Sequence, residues 1–235
     1  MNVSLLYSGG RDSSLAAWML ARLGYRVKLV TVTFGYADTA QYAKESARAI
    51  GFEHEIKRLD LELLHSACEL IASDGFPRHG LELLHLAALE AVAGEADAVA
   101  DGTRRDDRSP VPALSAVQSL EQRYGVAYLA PLRGFGKKSI EHLTSSLFSI
   151  EYAPSEVSRS ADYEKEVRAY LKDKGYDVNK IFPRHVQSRV IGLKVVQNGQ
   201  DFPGTKAQTG KGDEAEPPRA CVGGGEDSRQ SAHPS

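Results

Sequence analysis

The sequence predicts an α/β protein built on a doubly wound parallel sheet, with a small C-terminal α/β appendage and a disordered tail. Three observations lead there. Short apolar runs such as VSLLYS and VKLVTVTF alternate with longer amphipathic stretches, as strand–helix–strand units of a parallel sheet do. Glycines stand where the helical stretches should stop, at Gly24, Gly51 and Gly175. From residue 198 to 235 the text turns to Gly, Pro, Ser and charge, with almost nothing to bury.

Taken in order, VSLLYS reads as a buried first strand and residues 13–23 as the helix after it. VKLVTVTF is a β-branched second strand, and TAQYAKESARAIG a helix closed by Gly51. HEIKRLDL continues as a strand, LELLHSACELIAS as an amphipathic helix, and residues 81–93 as another helix. ADAVADG is a short apolar strand, residues 113–124 a helix, AYLAPL a last strand and residues 138–149 a last helix. These elements make a first domain over residues 1–152. In residues 153–197, SADYEKEVRAYLKDKGYDVNK predicts one charged helix and FPRHVQSRVIGLKVVQ a strand, too little for a core of its own. Residues 198–235 are the tail.

Composition narrows the classes. With 29 Lys and Arg against 31 Asp and Glu, the molecule as a whole is not an electrostatic glove for nucleic acid, although local basic patches stay open. No apolar run nears the ~20 residues of a membrane span, and Met1 leads into a strand-like run, so a cytoplasmic protein is expected. Cys68 and Cys221 are far apart and no CxxC is present, which excludes a cysteine-based zinc cluster. Cys68 falls on the apolar stripe of its helix with Leu61, Leu64 and Ile71 and is expected to be buried and inert.

A doubly wound sheet binds ligands beyond the carboxyl ends of its strands, where strand order reverses. The loop SGGRDSS leaves the first strand there. Gly9 and Gly10 let the chain turn and let a ligand approach the main chain, and the helix that follows opens with unpaired N–H groups and the positive end of its dipole. Ser8, Ser13 and Ser14 add hydroxyls suited to phosphate oxygens. Asp12 would repel a phosphate unless a cation lies between them, and a magnesium ion shared by both resolves the conflict. The same residues would also serve as an ordinary capped turn.

Ser8-Gly9-Gly10-Arg11-Asp12-Ser13-Ser14 resembles the SGGxDS signature of the PP-loop ATP pyrophosphatases, the adenine nucleotide α-hydrolase-like superfamily. It lacks the GK[ST] ending of a Walker A loop and the third glycine of a Rossmann fingerprint. The resemblance covers residues 1–149. It implies a five-stranded HUP-like sheet, ATP with its pyrophosphate in this loop, and Mg2+. It also implies attack of a substrate oxygen on the α-phosphorus, release of pyrophosphate, and capture of the adenylylated substrate by a second nucleophile.

The stretch ADGTRRDDRSP follows the fourth strand and should face the first loop, with Gly102 and Thr103 making a close turn. The resemblance points to Asp106 as a second magnesium ligand beside Asp12, with Asp107 as the fallback. One of Arg104, Arg105 and Arg108 could hold an anionic substrate through its planar fork, and Arg78 and His79 are candidates for the same crevice. Lys137 and Lys138 open a helix against its dipole preference, which hints at an anion nearby. Lys137 is therefore grouped with Asp12 and Asp106 as catalytic. The resemblance also assigns the adenine to main-chain groups of Val32, Thr33 and Phe34.

Three functions are compatible with these residues. One is an AMP-forming ligase that joins an activated substrate to ammonia or an amine. A second is a tRNA-modifying enzyme, for which Arg184, Arg189 and the GTRRDDR loop would form the basic patch. The third is an adenine-nucleotide sensor that needs neither Asp12 nor Asp106. The acceptor is a small molecule or tRNA, and a homodimer is among the partners considered. Missing cysteine pairs argue against sulfur transfer.

Overall fold

The structure, a computed structural model, describes residues 1–108 and 110–194. The expected tail, Cys221 and the end of the last expected strand lie outside the described residues. Five parallel strands, β1 (Asn2–Leu6), β2 (Arg26–Thr33), β3 (His54–Arg58), β4 (Ala98–Ala100) and β5 (Ala127–Leu129), form one sheet in the order β3-β2-β1-β4-β5. The reversal of strand order falls between β1 and β4, which pair directly.

Side-chain alternation along each strand explains the two layers of helices. Val3, Leu5, Leu29, Ala98 and Ala100 face a cluster that also takes buried residues from α1 (Arg11–Arg22), α2 (Ala40–Ala49) and α6 (Lys137–Leu147). Leu6, Val30, Val32 and Val99, on the opposite face, join residues of α3 (Leu61–Asp74), α4 (Arg78–Ala93) and α5 (Leu114–Tyr124). Cys68 sits in this second cluster at 1% exposure, and burial pushes its thiol up to about 12, so it is an inert core residue.

Beyond α6 the chain departs from the expected pattern. Phe148 and Ser149, expected to end a helix, begin strand β6 (Phe148–Pro154), which pairs antiparallel with β7 (Val186–Leu193). The stretch FSIEYAP gives a weak strand signal because a two-stranded ribbon leaves most of its residues partly wet. The register jumps from Ser149–Gly192 to Ile150–Val190, so Ile191 is an extra, half-exposed residue that bulges out of β7. Between the strands lie α7 (Tyr163–Asp173) and one unexpected short turn of helix, α8 (Val178–Ile181), after Gly175.

The C-terminal segment touches both faces of the sheet. Val190 of β7 packs among the α1–α2 residues, whereas Val167, Tyr170 and Leu171 of α7 complete the α3–α4 cluster. One carboxylate fastens α7 to the sheet. Glu166, only 2% exposed, accepts hydrogen bonds from the Thr33 hydroxyl (2.7 Å), the Phe34 N–H (3.1 Å) and the Tyr36 N–H (2.8 Å) at the carboxyl end of β2. Glu166→Ala would strand these donors in a dry environment, where each costs about 1–3 kcal/mol. We expect chemical denaturation to show a loss of about 3 kcal/mol or more for Glu166→Ala, and a smaller loss for Glu166→Gln, which keeps one acceptor oxygen.

Candidate functional site

The loop from Ser8 to Ser14 crosses the carboxyl end of β1 and opens α1. Gly9 has φ +79°, the left-handed region where a side chain is strained. Gly10 is the N-cap of α1 and, having no side chain, offers its helix no capping group. The C-terminal segment holds the outer side of this turn. Val190 N–H donates to the Gly9 carbonyl at 2.9 Å, Ala161 N–H to the Ser8 carbonyl at 3.1 Å, and Arg11 N–H to the Ser188 hydroxyl at 3.3 Å. From the other side the β4 loop presses in: a Cβ on Gly102 would lie 2.9 Å from Ser13 N and Cα, so only glycine allows this approach.

Two adjoining cavities border the loop. An inner chamber of about 190 Å3 is walled by Leu6, Tyr7, Val32, Ala161 and Tyr163, with His85, Asp101, Gly102 and Thr103 among its polar lining. An outer chamber of about 540 Å3 lies beside the β6–β7 ribbon and is lined by Gly10, Arg11, Arg104, Lys137, Tyr152, His185, Gln187 and Ser188, among others. Ser8, Asp12, Ser13, Asp107 and Asp162 border both and mark the junction between them.

Charge at the junction is closely paired. Arg104 stands 3.5 Å from Asp12 and 3.8 Å from Asp106, and it clasps Asp107 through both Nε (3.0 Å) and Nη2. Arg11, on the outer side, reaches Asp12 and Glu141 at 3.3 Å each and lies over the Tyr152 ring, 6.0 Å from its centre. Burial of the Asp12 carboxyl outweighs the pull of Arg104 and Arg11 and raises its pKa above the ordinary carboxylate value.

The structure separates the expected site residues. Ser8, Gly10, Arg11, Asp12, Ser13, Gly102, Thr103, Arg104, Asp107 and Lys137 are brought together. Ser14 is turned inward, fully buried, with its hydroxyl 3.0 Å from that of Tyr7. The two adjacent acids diverge: Asp107 borders the chambers, whereas Asp106 accepts the Lys137 N–H at 2.8 Å and caps α6. Of the three expected main-chain adenine contacts Val32 borders the inner chamber and Thr33 and Phe34 do not; the Thr33 carbonyl accepts the Leu59 N–H at 2.9 Å and the Phe34 N–H donates to Glu166.

The remaining arginines lie apart from both chambers. Arg78 pairs with Glu82 along α4, Arg105 packs against Gly136, and Arg189 bridges to Glu45 and Glu151. Arg184 borders a separate hollow with Pro154, Glu156 and Asn179. His79 is paired with Asp74. Among the described residues, no cluster of three or more His, Cys, Asp or Glu side chains could hold a metal ion, and no helix is long and apolar enough to cross a membrane.

The sequence reading missed His85 and Asp101. Asp101, 1% exposed at the end of β4, accepts the Thr103 N–H (2.9 Å) and hydroxyl (2.6 Å) on one oxygen. Its other oxygen is 2.8 Å from His85 Nε2 and accepts the Tyr128 hydroxyl at 2.7 Å. Burial alone would push this carboxyl up, but His85 and Thr103 hold it down at about 2.

The raised pKa of Asp12 fixes the sign of its effect on stability. The folded state holds the proton more tightly than the unfolded chain, so this group favours folding below the unfolded value of ~4 and loses that contribution as pH rises through the folded pKa. Asp12→Asn should therefore melt above wild type at pH 7. Thermal melts from pH 7 downward should show the advantage shrinking toward pH ~4.

An uncharacterized protein of Methanocaldococcus jannaschii, MJ0690, is 43% identical over 194 residues, which is 83% of this chain and 97% of that protein. The crystal structure of a predicted subunit of tRNA methyltransferase from the same organism matches with a TM-score of 0.77 and 42% identity, over 83% of this chain and 98% of that one. A 4-thiouridine synthetase–RNA complex with bound ATP overlays at a TM-score of 0.40 and 16% identity, over 80% of this chain and 55% of that one. The model of a family of unknown function, DUF7411, matches residues 1–192. With that span matched, the chain belongs to the DUF7411 family.

Proposed function

We propose that this protein binds ATP with its phosphates on the Ser8–Ser14 loop and cleaves it between the α and β phosphates, passing AMP to an acceptor substrate. The observation that carries the reading is the start of α1. Its capping position is a glycine without a capping group, preceded by a left-handed glycine, and it opens onto two chambers that meet at Asp12. Such an end offers N–H groups and a positive dipole to an anion.

The residues present fit the magnesium that would accompany ATP. Mg2+ usually takes one or two carboxylates, with phosphate oxygens and water completing its shell. Asp12 and Asp107, both at the junction, would hold it, and it would neutralise charge on the departing pyrophosphate. The chain's own groups do the rest. Ser8 and Ser13 hydroxyls, 3.4 Å apart, offer donors to the phosphates, and Arg104 spreads positive charge beside Asp12 and Asp107. The inner chamber takes the nucleoside and the outer chamber the acceptor, so that an acceptor oxygen approaches the α-phosphorus at the junction. That oxygen forms the new P–O bond as the bond to pyrophosphate breaks. Lys137, at the outer rim, and Arg11, held by Asp12 and Glu141, then face the acceptor.

A second reading places the acceptor in tRNA. It is supported by the name of the Methanocaldococcus jannaschii structure, which matches this chain almost from end to end of that protein. The first assay is AMP and pyrophosphate release from ATP with magnesium, with and without bulk tRNA. We expect AMP formation to fall by about 100-fold or more in Asp12→Ala. Stimulation by tRNA would favour the second reading. Binding of ATP without turnover under either condition would mark a nucleotide sensor, and no binding of ATP would overturn the proposal.

A further inference from the structure

Three carboxyl groups stand where the two chambers meet: Asp12, Asp107 and Asp162. The first two are paired. Arg11 and Arg104 flank Asp12, and Arg104 clasps Asp107. Asp162 differs. Among the described residues it has no ion pair, and its one side-chain hydrogen bond runs from the Glu164 N–H to Oδ1 at 3.3 Å, capping α7. Its Oδ2 accepts nothing. Yet this atom is not one of the buried side-chain atoms left without a partner, which are Ser46 Oγ, His54 Nδ1, His85 Nδ1, Ser155 Oγ and Arg189 Nε. Oδ2 is therefore open to a ligand, and the hollows that Asp162 borders are the two chambers. The main chain holds it there from both sides. Ala161 N–H is tied to the Ser8 carbonyl, and Glu166 ties α7 to the end of β2. No three acids or histidines among the described residues converge on a metal position, so Asp162 is not a third ligand beside Asp12 and Asp107.

An unpaired carboxyl oxygen beside a nucleotide repels the phosphates and attracts a neutral donor. ATP offers the amino group of its base and the hydroxyls of its ribose. With the nucleoside in the inner chamber and the α-phosphorus at the junction, the ribose lies next to the junction and the amino group lies farthest from it. We infer that Asp162 is the ribose-recognition residue of this site, its Oδ2 bonded to the 2′- or 3′-hydroxyl of the bound nucleotide. The inference rests on the ATP reading and deepens it. The C-terminal segment then reads the nucleotide itself, besides holding the outer side of the phosphate loop. The bond forms in either protonation state, since a hydroxyl donates to a carboxylate and accepts from a carboxylic acid.

The test compares affinities of the full chain for ATP, 2′-deoxy-ATP and 3′-deoxy-ATP, each with magnesium. Wild type should bind at least one deoxy analogue about tenfold more weakly than ATP. Asp162→Ser keeps a capping oxygen for α7 and removes the second one. It should bind ATP about tenfold more weakly than wild type does and bind all three nucleotides alike, as expected when a variant and an analogue delete the same bond. Thermal melts establish that the variant is folded, and the wild-type ratios test the inference without it. A purely structural role for Asp162 would weaken all three nucleotides by one common factor and leave the wild-type preference in place, which overturns the inference. Equal binding of the three by wild type overturns it as well, with ATP binding intact. Failure of wild type to bind any of them overturns the ATP reading, and this inference with it.

Discussion

A single buried carboxylate at the end of β2 organises much of what surrounds the cleft. Glu166 takes three donors from the turn after that strand, and this fixes where α7 begins. The residues just before it, Ala161, Asp162 and Tyr163, are thereby set against the inner chamber. A charged group at 2% exposure is tolerable only because its oxygens are fully engaged by neutral donors. Both sides depend on the contact. The turn from Thr33 to Tyr36 would otherwise carry unpaired polar groups, and α7 would lose its buried polar anchor, keeping the exposed bond from the Tyr36 hydroxyl to Asp173 at its other end.

The cleft shows a second economy of charge. Asp12 shares a crowded space with two further aspartates and two arginines, yet each acid differs in its task. Asp106 caps the start of α6, Asp107 is clasped by Arg104, and Asp12, set between Arg104 and Arg11, holds its proton more tightly than usual because of burial. A planar guanidinium is suited to this arrangement, because its fork can serve several carboxylates in fixed directions. Lysine at position 104 would supply the charge without that geometry.

Most of the sheet could be read from the sequence because its signals are local. Apolar runs, glycine stops and the position of the SGGRDSS loop each need only a few neighbouring residues to be interpreted. The adjacent acids at 106 and 107 could be noticed, but not told apart, because their difference depends on where α6 starts some thirty residues later. The β6–β7 ribbon was hidden for a related reason: neither strand buries a clean face, so its pairing is decided by a partner distant in the chain. His85 and Asp101 gave no pattern at all. A histidine on the inner side of α4 acquires meaning only when β4 brings a carboxylate within 2.8 Å of it.

The bonds from Val190 to Gly9 and from Ala161 to Ser8 also bear on how the molecule is made. During synthesis the SGGRDSS segment leaves the ribosome well before its outer wall, since Ala161 and Val190 follow their partners Ser8 and Gly9 by 153 and 181 residues. Contacts so far apart in sequence close late and slowly. The nascent chain can therefore form its sheet and first helices while this loop is still open on one side. Nucleotide capture, on the proposed reading, is withheld from incomplete chains, so a stalled or shortened product would carry the recognisable motif without the finished pocket.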